Sequence, residues 1–224
     1  MKKKTVITLI CVLGILLLFT GCAGITGNVR GTGDMVTRDI EVANFNSISV
    51  SGNFRVVYRQ SDEVSLTVMM QGNLFDHLNT TVRGGTLQVG SRRGFDTTGA
   101  NRPTLYIYAP YLTAADFSGA VSASGWDTIQ GQGFTIDVSG AASMDISLDV
   151  RRLDVTVSGA VDLEFDGVAD TINIDGSGAF NLAAGDLEIE GGRVNVSGVG
   201  NVYLSTLENI NVNISGLGRV QEAR

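Results

Sequence analysis

A Ser-Gly pair recurs through the second half of the chain, at Ser118, Ser139, Ser158, Ser177, Ser197 and Ser215, in steps of 21, 19, 19, 20 and 18 residues. A period near twenty residues constrains the fold more than any other feature, because it marks an architecture of stacked repeats. Aligned on the Ser, the repeats form columns. One residue before it stand Phe117, Val138, Val157, Gly176, Val196 and Ile214; three before stand Ala115, Ile136, Val155, Ile174, Val194 and Val212. Five after it stand Met144, Leu163, Leu182, Val202 and Val220. This alternation of period two is that of strands with one buried face. A single unit cannot bury that face alone, whereas stacked units build a continuous core.

The expected fold is therefore all-β: a right-handed parallel β-helix, or β-solenoid, with Ser-Gly repeats of 18–21 residues and about seven rungs. Glycine after each Ser suits a sharp corner. The small residue that often follows (Ala120, Ala141, Ala160, Ala179, Val199) is expected at a tight interior corner. Ile48-Ser49-Val50-Ser51-Gly52 repeats the signature far upstream, and Thr104 to Tyr108 is another expected strand. The N-terminal half is expected to begin the same solenoid with longer excursions. Residues 94–100 between Arg92-Arg93 and Asn101-Arg102 read as an exposed loop.

The first residues belong to export. Lys2-Lys3-Lys4 precede an uncharged run from Thr5 to Thr20, within reach of a signal-peptide core and short for a membrane span. Phe19-Thr20-Gly21-Cys22 resembles the bacterial lipobox, with Phe19 where Leu is usual. The resemblance implies cleavage after residue 21, acylation of Cys22 and anchoring in a membrane through lipid. Ala23, where an Asp would retain the protein at the inner membrane, points to the outer membrane. The expected organisation is a signal peptide at 1–21, a flexible tether at 22–38 and one β-helical domain at 39–224. Removal of residues 1–21 leaves 13 basic and 23 acidic residues, a net charge of −10. Such a surface argues against nucleic acid, whose phosphates need clustered Lys and Arg.

Two residues before each Ser lies a polar column: Asp116, Asp137, Thr156, Asp175, Asn195 and Asn213. It should face outward and stack at the strand spacing of about 4.8 Å. It reads as a side-chain hydrogen-bond ladder, with a ligand- or Ca²⁺-binding strip at Asp116, Asp137, Asp175, Asn195 and Asn213 as the sharper alternative.

Catalytic signatures are sparse. His77 is the single His, in FDHLN, and Cys11 and Cys22 are the only Cys. No HExxH, zinc-ligand spacing or phosphate-loop glycine pattern occurs. Carboxylates at Asp145, Asp149, Asp154, Asp162, Glu164 and Asp166 are the candidates for sugar cleavage, which needs paired acids. Trp126, Tyr106, Tyr108 and Tyr111 are candidates for stacking on sugar rings. No catalytic residue, metal or cofactor is assigned, and the chain is expected not to be an enzyme.

The set DFSGAVSASG, DVSGAAS, TVSGAVDL, DGSGAFNL, NVSGVGNV and NISGLGRV, with the opening FNSISVSGNFRVVYRQ, resembles the head GIN domain family over about residues 40–220. The resemblance implies a β-helical envelope domain of adhesin type, with no catalytic residues. The expected function is a cell-envelope lipoprotein that presents a non-catalytic module to glycan or protein ligands. The alternatives are a periplasmic scaffold or assembly protein and, second, a polysaccharide-active β-helix enzyme. The sequence leaves the oligomeric state open.

Overall fold

The computed structural model describes residues 27–97 and 101–223. Its strands are β1 (Val29–Arg30), β2 (Met35–Ile40), β3 (Ser47–Gln60), β4 (Ser65–Gln71), β5 (Leu78–Arg83), β6 (Thr86–Ser91) and β7 (Phe95–Asp96). They continue with β8 (Thr104–Ala109), β9 (Ala114–Ala123), β10 (Ile129–Gly131), β11 (Phe134–Val196), β12 (Val199–Leu204), β13 (Ile210–Ile214) and β14 (Arg219–Glu222). A short 3₁₀ turn spans Gly72–His77. The protein is all-β. Twelve strands form one mixed sheet with main order β14-β12-β11-β9-β3-β8-β4-β2, so β2 and the last strand, β14, lie at opposite ends, while β1 pairs with β7 in a separate two-stranded sheet.

The Ser-Gly repeats stack in register. Ser51-Gly52 of β3 pairs in parallel with Ser118-Gly119 of β9, which pairs with Ser139-Gly140 of β11. β11 then folds back on itself at steps of 19 and 20 residues, as the Asn173–Asp154 and Asn195–Asp175 contacts show. β12, β13 and β14 extend the stack in parallel. The inward columns are buried in every rung up to Leu204 and form one core cluster. Each fully buried Val, Leu, Ile or Phe there contributes about 1.5–3 kcal/mol.

The glycine column has a steric cause. Gly140 has φ +141°, and a Cβ on it would lie 2.4 Å from the Gly119 carbonyl oxygen. The same contact repeats between Gly159 and Gly140, Gly178 and Gly159, Gly198 and Gly178, and Gly216 and Gly198. Backbone packs on backbone at this corner, leaving no space for a side chain. The glycine therefore sets rung against rung along the stack, and the inward face resumes two residues after it. Ala120, Ala141, Ala160, Ala179 and Val199 consequently face solvent and not an interior corner. The next residues, Phe54, Val121, Ala142, Val161, Phe180 and Gly200, point in. Gly176 breaks its apolar column for a related reason. A Cβ on Gly176 or on Gly200 would run into the Phe180 ring, so two glycines make room for that aromatic side chain.

The N-terminal part follows other rules. β4 is antiparallel to both β2 and β8, and β5 is antiparallel to β6. The expectation of a parallel β-helix from end to end is therefore corrected here, since the described sheet is mixed. The tight turn Gly84-Gly85, with both φ positive, favours a local hairpin over a crossover. The expected tether is also partly structured. Val29–Arg30 pairs with Phe95–Asp96, and β2 reaches back to residue 35. By the same pairing, part of the expected loop at 94–100 is strand, with Phe95 buried. Among the described residues no helix is long and apolar enough to cross a membrane. The expected signal peptide at 1–21, with Cys11, and the expected acylation site Cys22 lie outside the described residues.

Candidate functional site

The polar column falls where its spacing placed it. Asp116 is paired with Ser49 on one side and Asp137 on the other, and Asn195 with Asn213. Asp116, Asp137, Thr156, Asp175 and Asn213 are exposed, and Asn195 is half-buried. Hydrogen bonds run along the column. Ser49 Oγ donates to Asp116 Oδ2 at 3.1 Å, and Asn195 Nδ2 donates to Asp175 Oδ1 at 2.6 Å. Arg193 approaches the other Asp175 oxygen at 3.9 Å. The adjacent column behaves alike. Asn173 Nδ2 donates to Asp154 Oδ1 at 2.9 Å, and Arg152 Nε donates to Asp154 Oδ2 at 2.7 Å.

Electrostatics distinguishes the two carboxyls. Partial burial and the neighbouring Asp116 charge hold Asp137 above the ordinary carboxylate value. The Arg152 hydrogen bond holds Asp154 below it, against the opposing effect of partial burial. Asp116 and Asp137 are the one pair of carboxylates set side by side in the polar column. Ca²⁺ takes six to eight oxygen ligands, and among the described residues no three His, Cys, Asp or Glu side chains gather closely enough to hold a metal ion. In the column, Asp116 and the Asp175–Asn195 pair are hydrogen-bonded to the neighbouring rung.

The other candidates separate. Asn181 Nδ2 donates to Asp162 at 3.1 Å, and Ser147 Oγ donates to Asp166 at 2.9 Å, while Asp145, Asp149 and Glu164 are exposed. His77 ends the 3₁₀ turn, where its carbonyl accepts the Arg92 N–H at 3.0 Å. Trp126 is buried; its Nε1 donates to the Val56 carbonyl at 2.9 Å, and its ring packs against Tyr58 and Phe117. Burial of Tyr58 itself, with Asp127 nearby, pushes its hydroxyl up to about 12. Tyr106 and Tyr108 are half-buried, and Tyr111 is 52% exposed.

Sequence reasoning singled out Tyr111 but not its setting. It borders a cleft of about 670 Å³ with Asn44, Asn46, Asp62, Glu63 and Pro110. Four separate segments, with Gly85 the fourth, meet there, and no local pattern announces their meeting. The Thr113 N–H to Asn46 carbonyl bond, at 2.7 Å, holds two of them together.

A family model described as "Putative auto-transporter adhesin, head GIN domain" matches residues 44–222, the span from the first stacked strand to the last. The chain belongs to the head GIN domain family. Solved structures share the fold of this head GIN chain. A putative adhesin from Bacteroides fragilis NCTC 9343 is 20% identical with a TM-score of 0.76, over 88% of this chain and 100% of that one. A putative adhesin from Parabacteroides distasonis ATCC 8503 is 22% identical with a TM-score of 0.60, over the same shares. A putative lipid binding protein from Parabacteroides distasonis ATCC 8503 is 20% identical with a TM-score of 0.59, again over 88% and 100%. No curated protein matches the chain.

Proposed function

We propose that this head GIN chain is a cell-envelope lipoprotein, anchored through Cys22, whose domain is a non-catalytic binding module of adhesin type for glycan or protein ligands. The repeating part coils as a right-handed parallel β-helix, and the antiparallel strands β2, β4 and β5 cap its N-terminal end. The observation that carries the reading is the register of the exposed columns. Asp116, Asp137, Asp175, Asn195 and Asn213 stand in register on the stack, and hydrogen bonds to neighbouring rungs already fix the side chains of Asp116, Asp175 and Asn195. A surface ordered in this way gives up little rotamer entropy when a ligand arrives, which favours recognition over a broad face. Family membership supports the same reading.

Protease added to intact cells, with wild type compared against Cys22→Ser, tests it. Digestion on intact cells places the domain outside and supports adhesion. Protection until the outer membrane is permeabilised ends that reading and favours the periplasmic scaffold. Retention of Cys22→Ser in the membrane as firmly as wild type overturns the anchor.

A further inference from the structure

The last rung differs from every rung before it. Val194 and Val196 are fully buried, yet their parallel partners Val212 and Ile214 on β13 are 40% and 41% exposed. These side chains lie in the inward columns, and nothing among the described residues covers them. Of the eight large apolar side chains exposed among the described residues, five fall between residues 199 and 217: Val199, Leu207, Val212, Ile214 and Leu217. Leu217 is 85% exposed at the glycine corner, where four earlier repeats carry Ala. The apolar surface is thus concentrated at one end of the stack.

That end also offers backbone. β13 pairs with β11 on one side and β14 with β12 on one side, with no strand on their outer sides among the described residues. Folded proteins guard such edges with Lys, Pro, bulges or inward charges. β13 reads INVNI and has none of these.

We propose that the β13 edge pairs with the β13 edge of a second copy of this chain, antiparallel about a two-fold axis through Val212. The strand is self-complementary in that register. Val212 meets Val212, Ile210 meets Ile214, and Asn211 meets Asn213, whose amides donate and accept equally well. Two-fold pairing buries the same patch on both copies and closes the assembly at two. One rung, residues 205–223, lies at the small end of a standard interface of about 20–30 residues a side. The pairing is therefore concentration-dependent, and crowding on a surface favours it.

β2 and β14 lie at opposite ends of the strand order. On a chain anchored at Cys22, the apolar rung points away from the membrane, and pairing joins copies on facing membranes. This last step rests on the lipoprotein reading above; the pairing itself does not.

The test uses the full lipidated chain in phosphatidylcholine vesicles. Val212→Cys is expected to give a disulfide-linked dimer under mild oxidation that Val168→Cys, exposed elsewhere on the stack, does not give. Vesicles carrying the unsubstituted protein are expected to cluster, with scattering rising several-fold, and Val212→Lys to abolish the rise. Cross-linking without clustering keeps the β13 pairing and overturns its facing-membrane arrangement. Absence of the Val212→Cys cross-link, or clustering unaffected by Val212→Lys, overturns the pairing itself.

Discussion

The stack from Ala114 to Leu204 and the region from residue 27 to 113 use the same residue types to different ends. In the stack each strand lies beside its neighbour in sequence, about 20 residues away, and the pairing is parallel. In the N-terminal region Ser51-Gly52 waits for Ser118-Gly119, 67 residues on, while the chain between them makes antiparallel pairs. The stack gains order from repetition. The N-terminal region gains it from a few long-range anchors, Trp126 on Val56 and Arg102 on Ser122 among them.

The largest expected effect separates the glycines of the two regions. Gly140→Ala forces a Cβ against the Gly119 carbonyl at a left-handed φ and is expected to cost roughly 3 kcal/mol or more. Gly84→Ala, in a turn with open space around it, is expected to cost about 1–2 kcal/mol. Urea unfolding of both variants measures the gap, and equal losses would remove the steric account of the glycine column.

Next comes the Phe180 rung. Phe180→Val leaves a cavity costing about 2 kcal/mol, and Gly176→Val overpacks by about 1–3 kcal/mol. The double variant recreates the Val157 and Val161 pair of the preceding rung. It is expected to be more stable than either single variant, a coupling that a double-mutant cycle reads directly. Strict additivity would sink the idea that Gly176 exists to seat the ring.

Trp126→Phe tests an anchor of the N-terminal region. It keeps most of the packing against Tyr58 and Phe117 and removes the donor to Val56. A loss of about 1 kcal/mol is expected in thermal or urea unfolding.

The smallest effects are electrostatic and opposite in sign. Asp137 has a raised pKa in the folded state, so its ionised form opposes folding. Asp137→Asn is expected to stabilise at neutral pH, and the gain should vanish as pH falls below the ordinary carboxylate value. Asp154 has a lowered pKa, so its ionised form favours folding. Asp154→Asn is expected to destabilise at neutral pH, and the loss should vanish as pH falls through the folded value. Asp137 is exposed, and Asp154 is half-buried beside an exposed Arg152, so solvent screening is expected to keep each effect below about 1 kcal/mol. Stability measured from pH 3 to 7 checks both signs.

The sequence by itself determined the all-β class, the repeat step, the inward apolar columns and the outward Asp/Asn column. All are local or periodic, because alternation sets which face a residue takes and a constant step sets what stacks on what. Tertiary structure alone decided the rest. Ala120 and its counterparts face solvent because the glycine corner sets backbone against backbone along the stack and the inward face resumes only at the next residue. The β2-β4-β8 pairing, the small strand Val29–Arg30 with Phe95–Asp96 and the Tyr111 cleft join segments with no common period. Their partners are chosen by which apolar faces remain uncovered once the chain has folded. The exposure of Val212 and Ile214 belongs here too. Both carry the column pattern of a buried strand, and only the absence of a described neighbour beyond β13 leaves them at the surface.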